Sequence, residues 1–119
     1  MRLGFGDRLV DPCQSGAMSR LLNHEEIDRQ LGDLPGWAVD GPLMRATFEA
    51  PDFPAAIRLV DEVAADAESM NHHPDIDIRW RTVGFVLSTH DQGGLTQLDV
   101  ELAHQISQAA ARIGAQARG

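Results

Sequence analysis

Residues 52–74, with the sequence DFPAAIRLVDEVAADAESMNHHP, contain the longest regular pattern in the chain. Asp52 is a suitable N-cap, and Pro54 is tolerated in the first turn of a helix. Apolar residues then recur at spacings of three and four, which predicts an amphipathic helix. The helix should end near Asn71, because Pro74 disfavours helical geometry at the preceding residue. The predicted buried stripe comprises Phe53, Ile57, Val60, Val63, Ala64, Ala67 and Met70.

Two alternating patterns follow this helix. Ile76, Ile78 and Trp80 are separated by charged residues, which is typical of a half-buried strand. A second alternation of apolar and other residues over 83–90 predicts another strand, which is followed by a turn at residues 91–94. The pattern alone does not decide whether these are two strands or one bent strand.

The segment before the long helix has a similar organisation. Asn23 and Glu26 have the spacing of a capping box, which predicts a short helix that ends at Gly32. A hairpin is predicted next, with strands over 37–39 and 43–49 and a turn at Asp40-Gly41. In the second of these strands Met44, Ala46 and Phe48 should share one face.

A last helix is predicted to begin at Thr96 and to end at Gly114, with Asp99 completing a capping box. The resulting order is α-β-β-α-β-β-α. Hairpins separated by helices favour an α+β fold, in which helices pack on one face of a four-stranded antiparallel sheet.

Composition limits the classes of function. The 119 residues carry a net charge of −8, which argues against a nucleic-acid partner and against docking on an anionic membrane. No apolar run approaches the roughly 20 residues of a membrane-spanning helix. Cys13 is the single cysteine and cannot form an internal disulfide, so we expect a cytoplasmic location. Residues 1–17 are expected to be a flexible N-terminal tail, and residues 18–119 a single domain.

Four of the five histidines follow residue 70. Among them, His72, His73 and His90 fall at the ends of predicted elements, where reactive groups are often displayed. Glu68 and Asp99 occupy neighbouring element ends. Imidazole transfers protons near neutral pH, so these residues could form an acid–base site.

Each of these residues also has a plainer interpretation. The adjacent histidines could be polar loop residues, Glu68 a solvated helix residue, and Asp99 only the acidic end of a capping box. Trp37 and Trp80 are expected to lie in the core. Zinc is a competing hypothesis, but adjacent histidines point in different directions, and the chain has no HExxH or CxxC motif. We therefore expect no metal.

The segment ESMNHHP at residues 68–74 resembles the motif of the pterin-4a-carbinolamine dehydratase family. The likeness continues through Trp80 and LSTH at 87–90, and through GLT at 94–96 to Asp99; in all it covers about residues 20–113. Two positions depart from the family pattern: Trp80 replaces a common tyrosine, and Ile76 replaces a tryptophan found in some members.

The resemblance implies a dehydratase that removes water from a 4a-hydroxy-tetrahydropterin to give the quinonoid dihydropterin. It implies that His72, His73 and His90 surround the departing hydroxyl and that Glu68 and Asp99 support the site, while Trp37 borders the pocket. It also implies that the reaction needs no cofactor and that the protein is a homodimer or homotetramer. The alternative is a non-catalytic dimerisation or protein-interaction module on the same fold, because a fold can persist when its site is lost.

Overall fold

The three predicted N-caps begin the three α-helices found among residues 20–118, which are the residues that a computed structural model of the protein describes. Helix α1 spans His24–Leu31, α2 spans Phe53–Met70 and α3 spans Gln97–Ile113. The side chains of Asn23, Asp52 and Thr96 accept backbone N–H groups of the first turns. The tail predicted for residues 1–17 lies outside the described residues.

An antiparallel sheet confirms the predicted fold class. Its strands are β1 (Ala38–Asp40), β2 (Leu43–Glu49), β3 (Asp75–Arg79), β4 (Thr82–Leu87) and β5 (Gln116–Arg118). The order across the sheet is β1-β2-β4-β3, and each neighbouring pair is antiparallel. The order of elements along the chain therefore agrees with the sequence as far as α3.

A fifth strand extends the predicted four. β5 pairs with β2 beside Glu49, Phe48 and Thr47, on the edge that β1 leaves free. No strand was predicted after Gly114, where the last helix was expected to end. Gly36 permits the close approach of β5, because a Cβ at this position would lie 2.5 Å from the Cβ of Ala117. This strand has only three residues and all three are exposed, so its sequence has no alternation of buried and exposed positions that could predict it.

The core lies between the sheet and helices α2 and α3. Side chains of β2 and β4 that face the helices are almost fully buried, as the alternation predicted. They are Met44, Ala46, Phe48, Val83, Phe85 and Leu87. Phe48 makes edge-to-face contacts with both Trp37 and Phe85, at ring centroid distances of 6.3 Å and 6.1 Å. Trp37 is therefore a core residue, as predicted.

The buried stripe of α2 differs from the predicted stripe. The fully buried residues are Ala55, Ala56, Leu59, Val63 and Ala67. Phe53 and Ile57, which were predicted to be buried, are 46% and 36% exposed. Apolar residues surround much of this helix, so more than one stripe satisfies the helical period. The structure buries the stripe that is rich in alanine, and α2 packs against α3.

Strand β3 was predicted to be half-buried, and this was wrong for the single chain. All five of its residues are exposed, because β3 is an edge strand that pairs only with β4. β3 and β4 are two separate strands joined by Trp80 and Arg81. Trp80 was expected in the core, but it occupies this turn with a φ of 59° and is 74% exposed. Alternation does not distinguish an edge strand from an inner one.

Helices in the described part of the chain are not long and apolar enough to cross a membrane.

Candidate active site

The C-terminal end of α2 places two histidines beside the sheet. Asn71 ends the helix in the left-handed region, at a φ of 52°, and its N–H is bonded to carbonyl groups of the last turn. Asparagine tolerates this conformation better than most residues, which explains its position here. The chain reverses direction after Asn71, so that His72 and His73 leave the helix next to the end of β4.

The third histidine comes from the segment after β4. His90 begins a short 3₁₀ helix, His90–Gln92, that follows Ser88 and Thr89. One cleft of about 220 Å³ is lined by residues from both segments, namely Asn71, His72, His73, Ser88, Thr89, His90 and Asp91. The structure thus brings together the three histidines that the sequence analysis singled out. This volume lies below the roughly 300–1,000 Å³ of typical small-molecule pockets, so the cleft is small for a whole ligand.

Asp99 supports His72 from inside the protein. Its side chain is fully buried, and Oδ1 lies 2.6 Å from Nε2 of His72, which is itself only 10% exposed. A carboxylate accepts hydrogen bonds, so Nε2 carries the proton in this contact. The described residues contain no hydrogen-bond partner for the other ring nitrogen, Nδ1, of His72. A molecule in the cleft would therefore meet no competing partner of this nitrogen among residues 20–118.

Glu68 makes a similar contact with His73 at the surface. The Oε2 atom of Glu68 lies 2.6 Å from Nε2 of His73, but the two side chains are 77% and 55% exposed. Water competes for such exposed contacts and screens their charges. The two adjacent histidines thus have matching carboxylate partners in very different environments.

The second oxygen of Asp99 belongs to the start of α3. Oδ2 accepts the backbone N–H of Thr96 at 2.9 Å, which completes the capping box, and it accepts the hydroxyl of Thr89 at 2.8 Å. The capping contact predicted from sequence is confirmed. The same carboxylate also holds a cleft histidine, so the helix cap and the cleft share one residue.

Trp37 does not line the histidine cleft. Its indole N–H donates to the hydroxyl of Ser107 on α3, at 2.9 Å, and its ring borders a different cavity beside Arg45 and Arg118. The structure therefore brings Glu68 and Asp99 to the histidines but leaves Trp37 apart from them.

Two threonines that bond at the cleft were not predicted as site residues. Thr89 and Thr96 both fall within the segments that resemble the family motif, and Thr96 was predicted only as a helix cap. A signal was present in retrospect: Thr89 precedes His90 directly, and Thr96 forms the capping box with Asp99. Residues 20–118 contain no group of three or more His, Cys, Asp or Glu residues arranged to hold a metal ion.

The fold and the cleft define a small α+β protein with three histidines and a buried carboxylate at one end of an antiparallel sheet. A family model described as pterin 4 alpha carbinolamine dehydratase matches residues 20–109. The chain belongs to this family.

Curated relatives agree with this assignment. A protein of Roseiflexus castenholzii, named "Putative pterin-4-alpha-carbinolamine dehydratase", is 56% identical over 91 residues, which are 76% of this chain and 98% of the relative. A protein of Nocardia farcinica with the same name is 55% identical over 92 residues, which cover 77% of this chain and 97% of the relative.

Solved structures share the fold. One is a crystal structure described as a transcriptional coactivator/pterin dehydratase from Brucella melitensis, which superposes with a TM-score of 0.74 at 31% identity. The match covers 76% of this chain and 99% of the Brucella chain. A pterin dehydratase-like protein, described as a RuBisCO assembly factor in the alpha-carboxysome, has a TM-score of 0.54 at 19% identity, covering 62% of this chain and 86% of its own. The second likeness shows the fold alone.

Proposed function

We propose that this protein is a dehydratase that converts a 4a-hydroxy-tetrahydropterin into the quinonoid dihydropterin by histidine acid–base catalysis. The reaction breaks the bond between C4a and its hydroxyl oxygen, and the N5 lone pair forms a double bond to C4a. The hydroxyl leaves as water after it receives a proton, and N5 gives up its proton to a base. No electron is gained or lost, so the chemistry requires only proton transfer.

The observation that supports this proposal most is that three histidines line one cleft and that one of them is bonded to a buried carboxylate. An acid must protonate the hydroxyl oxygen on C4a and a base must remove the proton from the adjacent N5, and a single cleft with several imidazoles meets this need. The Nδ1 atom of His72 is available, and a carboxylate behind the ring stabilises the positive charge that the ring acquires as a base.

The roles divide as follows in this proposal. His72 removes the proton from N5, because Asp99 supports its charged form. His90 protonates the departing hydroxyl. His73, whose Nε2 contacts Glu68 at the surface, mainly positions the pterin. Trp37 has no part in the proposed chemistry, because it lies at a different cavity.

The alternative is a non-catalytic interaction module on the same fold. The relative described as a RuBisCO assembly factor shows that this fold occurs in a protein with an assembly role. The histidine set with its carboxylate partners favours the enzyme, since a pure interaction module does not need a buried carboxylate that orients a cleft imidazole.

We also infer a homo-oligomer, because small proteins often gain burial by self-association. The proposed contact is strand β3, because its outer edge pairs with no strand among residues 20–118 and both of its isoleucines are exposed. A cytoplasmic location remains a prediction.

The proposed activity is tested with a freshly generated 4a-hydroxy-tetrahydropterin, whose conversion to the quinonoid dihydropterin is followed by absorbance. The protein should raise the rate well above that of buffer, in proportion to its concentration. The His24→Ala variant is a matched control, because His24 is exposed on α1 and makes no contact with the cleft. A folded protein that does not change the rate would leave the interaction module as the better account.

A further inference from the structure

The hydroxyls of Thr89 and Thr96 form a chain that ends on Asp99. Thr89 and Thr96 are 7% and 0% exposed, and their Oγ1 atoms lie 2.8 Å apart. Oγ1 of Thr89 is also 2.8 Å from Oδ2 of Asp99. Hydroxyls buried in this way need hydrogen-bond partners, and here each is the partner of the next.

The direction of this chain is fixed by the available protons. A carboxylate only accepts hydrogen bonds, so Thr89 must donate its single hydroxyl proton to Asp99. Thr96 must then donate to Thr89. The Oγ1 atom of Thr96 in turn accepts the backbone N–H of Leu98 at 3.2 Å, which leaves its own proton free for this purpose. Each hydrogen bond in this chain therefore has only one possible donor and one possible acceptor.

This chain determines how the carboxylate of Asp99 is oriented. Oδ2 receives both the Thr96 backbone N–H and the Thr89 hydroxyl, so its hydrogen bonds are directed into the protein. Oδ1 is thereby turned toward Nε2 of His72. His73, His90 and Asp91 are the other ionisable groups that line the same cleft, and Glu68 contacts His73. Asp99 is the one bonded to the ring of His72.

We propose that Thr89 is a positioning residue, which holds Asp99 so that His72 keeps its proton on Nε2 and presents Nδ1 to the cleft. Thr96 orients the Thr89 hydroxyl. The consequence for turnover rests on the proposed dehydratase function, whereas the effect on the His72 ring does not. Hydrogen-bonded chains in a buried environment strengthen one another, so loss of the first donor affects the last acceptor.

The ring of His72 reports on this directly through the ¹⁵N NMR signals of its two nitrogens. The wild-type protein should show protonated Nε2 and unprotonated Nδ1 in the neutral ring, with slow exchange of the Nε2 proton with water. Thr89→Val keeps the shape and removes the hydroxyl. It should introduce the other tautomer and speed this exchange by about tenfold, the usual worth of one hydrogen bond. Thr89→Ser should restore the wild-type signals.

Ser88→Ala is the matched control. Ser88 is also buried at the cleft, but its hydroxyl donates to the backbone carbonyl of Pro42 and does not bond to Asp99. This variant should leave the His72 ring signals as they are. A similar change in Ser88→Ala and Thr89→Val would show a general loosening of the cleft and overturn the positioning role.

Activity adds a second test. Thr89→Val should lower kcat by about tenfold with little change in KM, and Thr89→Ser should recover it. A raised KM with unchanged His72 signals would mean that Thr89 contacts the substrate instead, and would overturn the proposal. If Thr89→Val does not fold, the wild-type spectrum still decides, because a neutral His72 ring protonated on Nδ1 contradicts the chain. A wild-type protein without dehydratase activity would refute the proposed function but leave the NMR result standing.

Discussion

His72 and Asp99, 27 positions apart in sequence, meet through an Nε2–Oδ1 contact of 2.6 Å, with the carboxylate fully buried and the ring at the wall of the cleft. The same carboxylate caps the last helix through its other oxygen. The residue that caps this helix thus also bonds to the ring of a cleft histidine, and replacing it should affect stability and activity in different ways.

Asp99→Asn separates these two effects. The amide oxygen can still accept from Thr96 and Thr89, but the amide nitrogen then faces His72 and can only donate. The ring would have to carry its proton on Nδ1, which removes the base from the cleft. We expect the fold to survive and turnover to fall by roughly a hundredfold or more. Turnover and the thermal midpoint, measured on the same preparation, check this, and near-normal turnover in Asp99→Asn would contradict it.

The sequence predicted that Asp99 caps the last helix, because Thr96 and Asp99 are close in the chain and have the spacing of a capping box. The contact between Asp99 and His72 depends on how α2 and α3 pack, and no local sequence pattern predicts that packing. Likewise, the period of α2 correctly predicted a helix, but it placed Ile57 in the buried stripe, whereas the structure buries Leu59. Trp80 shows a similar limit, since the alternation that predicted its strand does not show that the residue occupies an exposed turn.

Association through β3 is the prediction for quaternary structure. An edge strand with unpaired backbone groups is a ready partner for another strand, and lysine on an edge strand discourages such pairing. Ile78→Lys should therefore reduce the mass found by light scattering toward that of one chain, 13.0 kDa. Wild-type protein that already has this mass at working concentration would refute the homo-oligomer, and an unchanged mass in Ile78→Lys would place the contact elsewhere.

Activity should not depend on a metal ion. The reaction needs only proton transfer, and the described residues offer no cluster of three or more metal ligands. Dialysis against a chelator should leave turnover unchanged, and metal analysis of the purified protein should find less than stoichiometric zinc. Loss of turnover that zinc restores would overturn the acid–base account.

The Arg20–Glu26 pair predicts a specific pH response of α1. The Arg20 guanidinium, together with the backbone N–H of Asn23, lowers the pKa of Glu26 to about 2. A carboxyl with a lowered pKa stabilises the folded state above its unfolded pKa of about 4.3, and this contribution is lost as the pH falls toward 2. The effect on stability should be small, since the pair is exposed. A ¹³C NMR titration of Glu26 should show the low midpoint, and Arg20→Gln should raise it; a wild-type midpoint near 4 would contradict the pairing.

The central claim is that His72 and His90 transfer the protons, and its test requires substitutions at these positions that keep the protein folded. His72→Ala would leave a buried oxygen of Asp99 unpaired, which costs about 1–3 kcal/mol. His72→Gln avoids this, because its amide can still donate to Asp99 but cannot exchange a proton at neutral pH. His90 is exposed, so His90→Ala should leave stability nearly unchanged.

Turnover of freshly made 4a-hydroxy-tetrahydropterin by His72→Gln and His90→Ala, with the thermal midpoint of each variant, is the most direct measurement. Each variant should remain folded and lose roughly a hundredfold or more in turnover, the usual worth of a general acid or base. His24→Ala should match the wild-type protein in both quantities. Folded His72→Gln and His90→Ala variants that keep near-normal turnover would contradict histidine acid–base catalysis at this cleft.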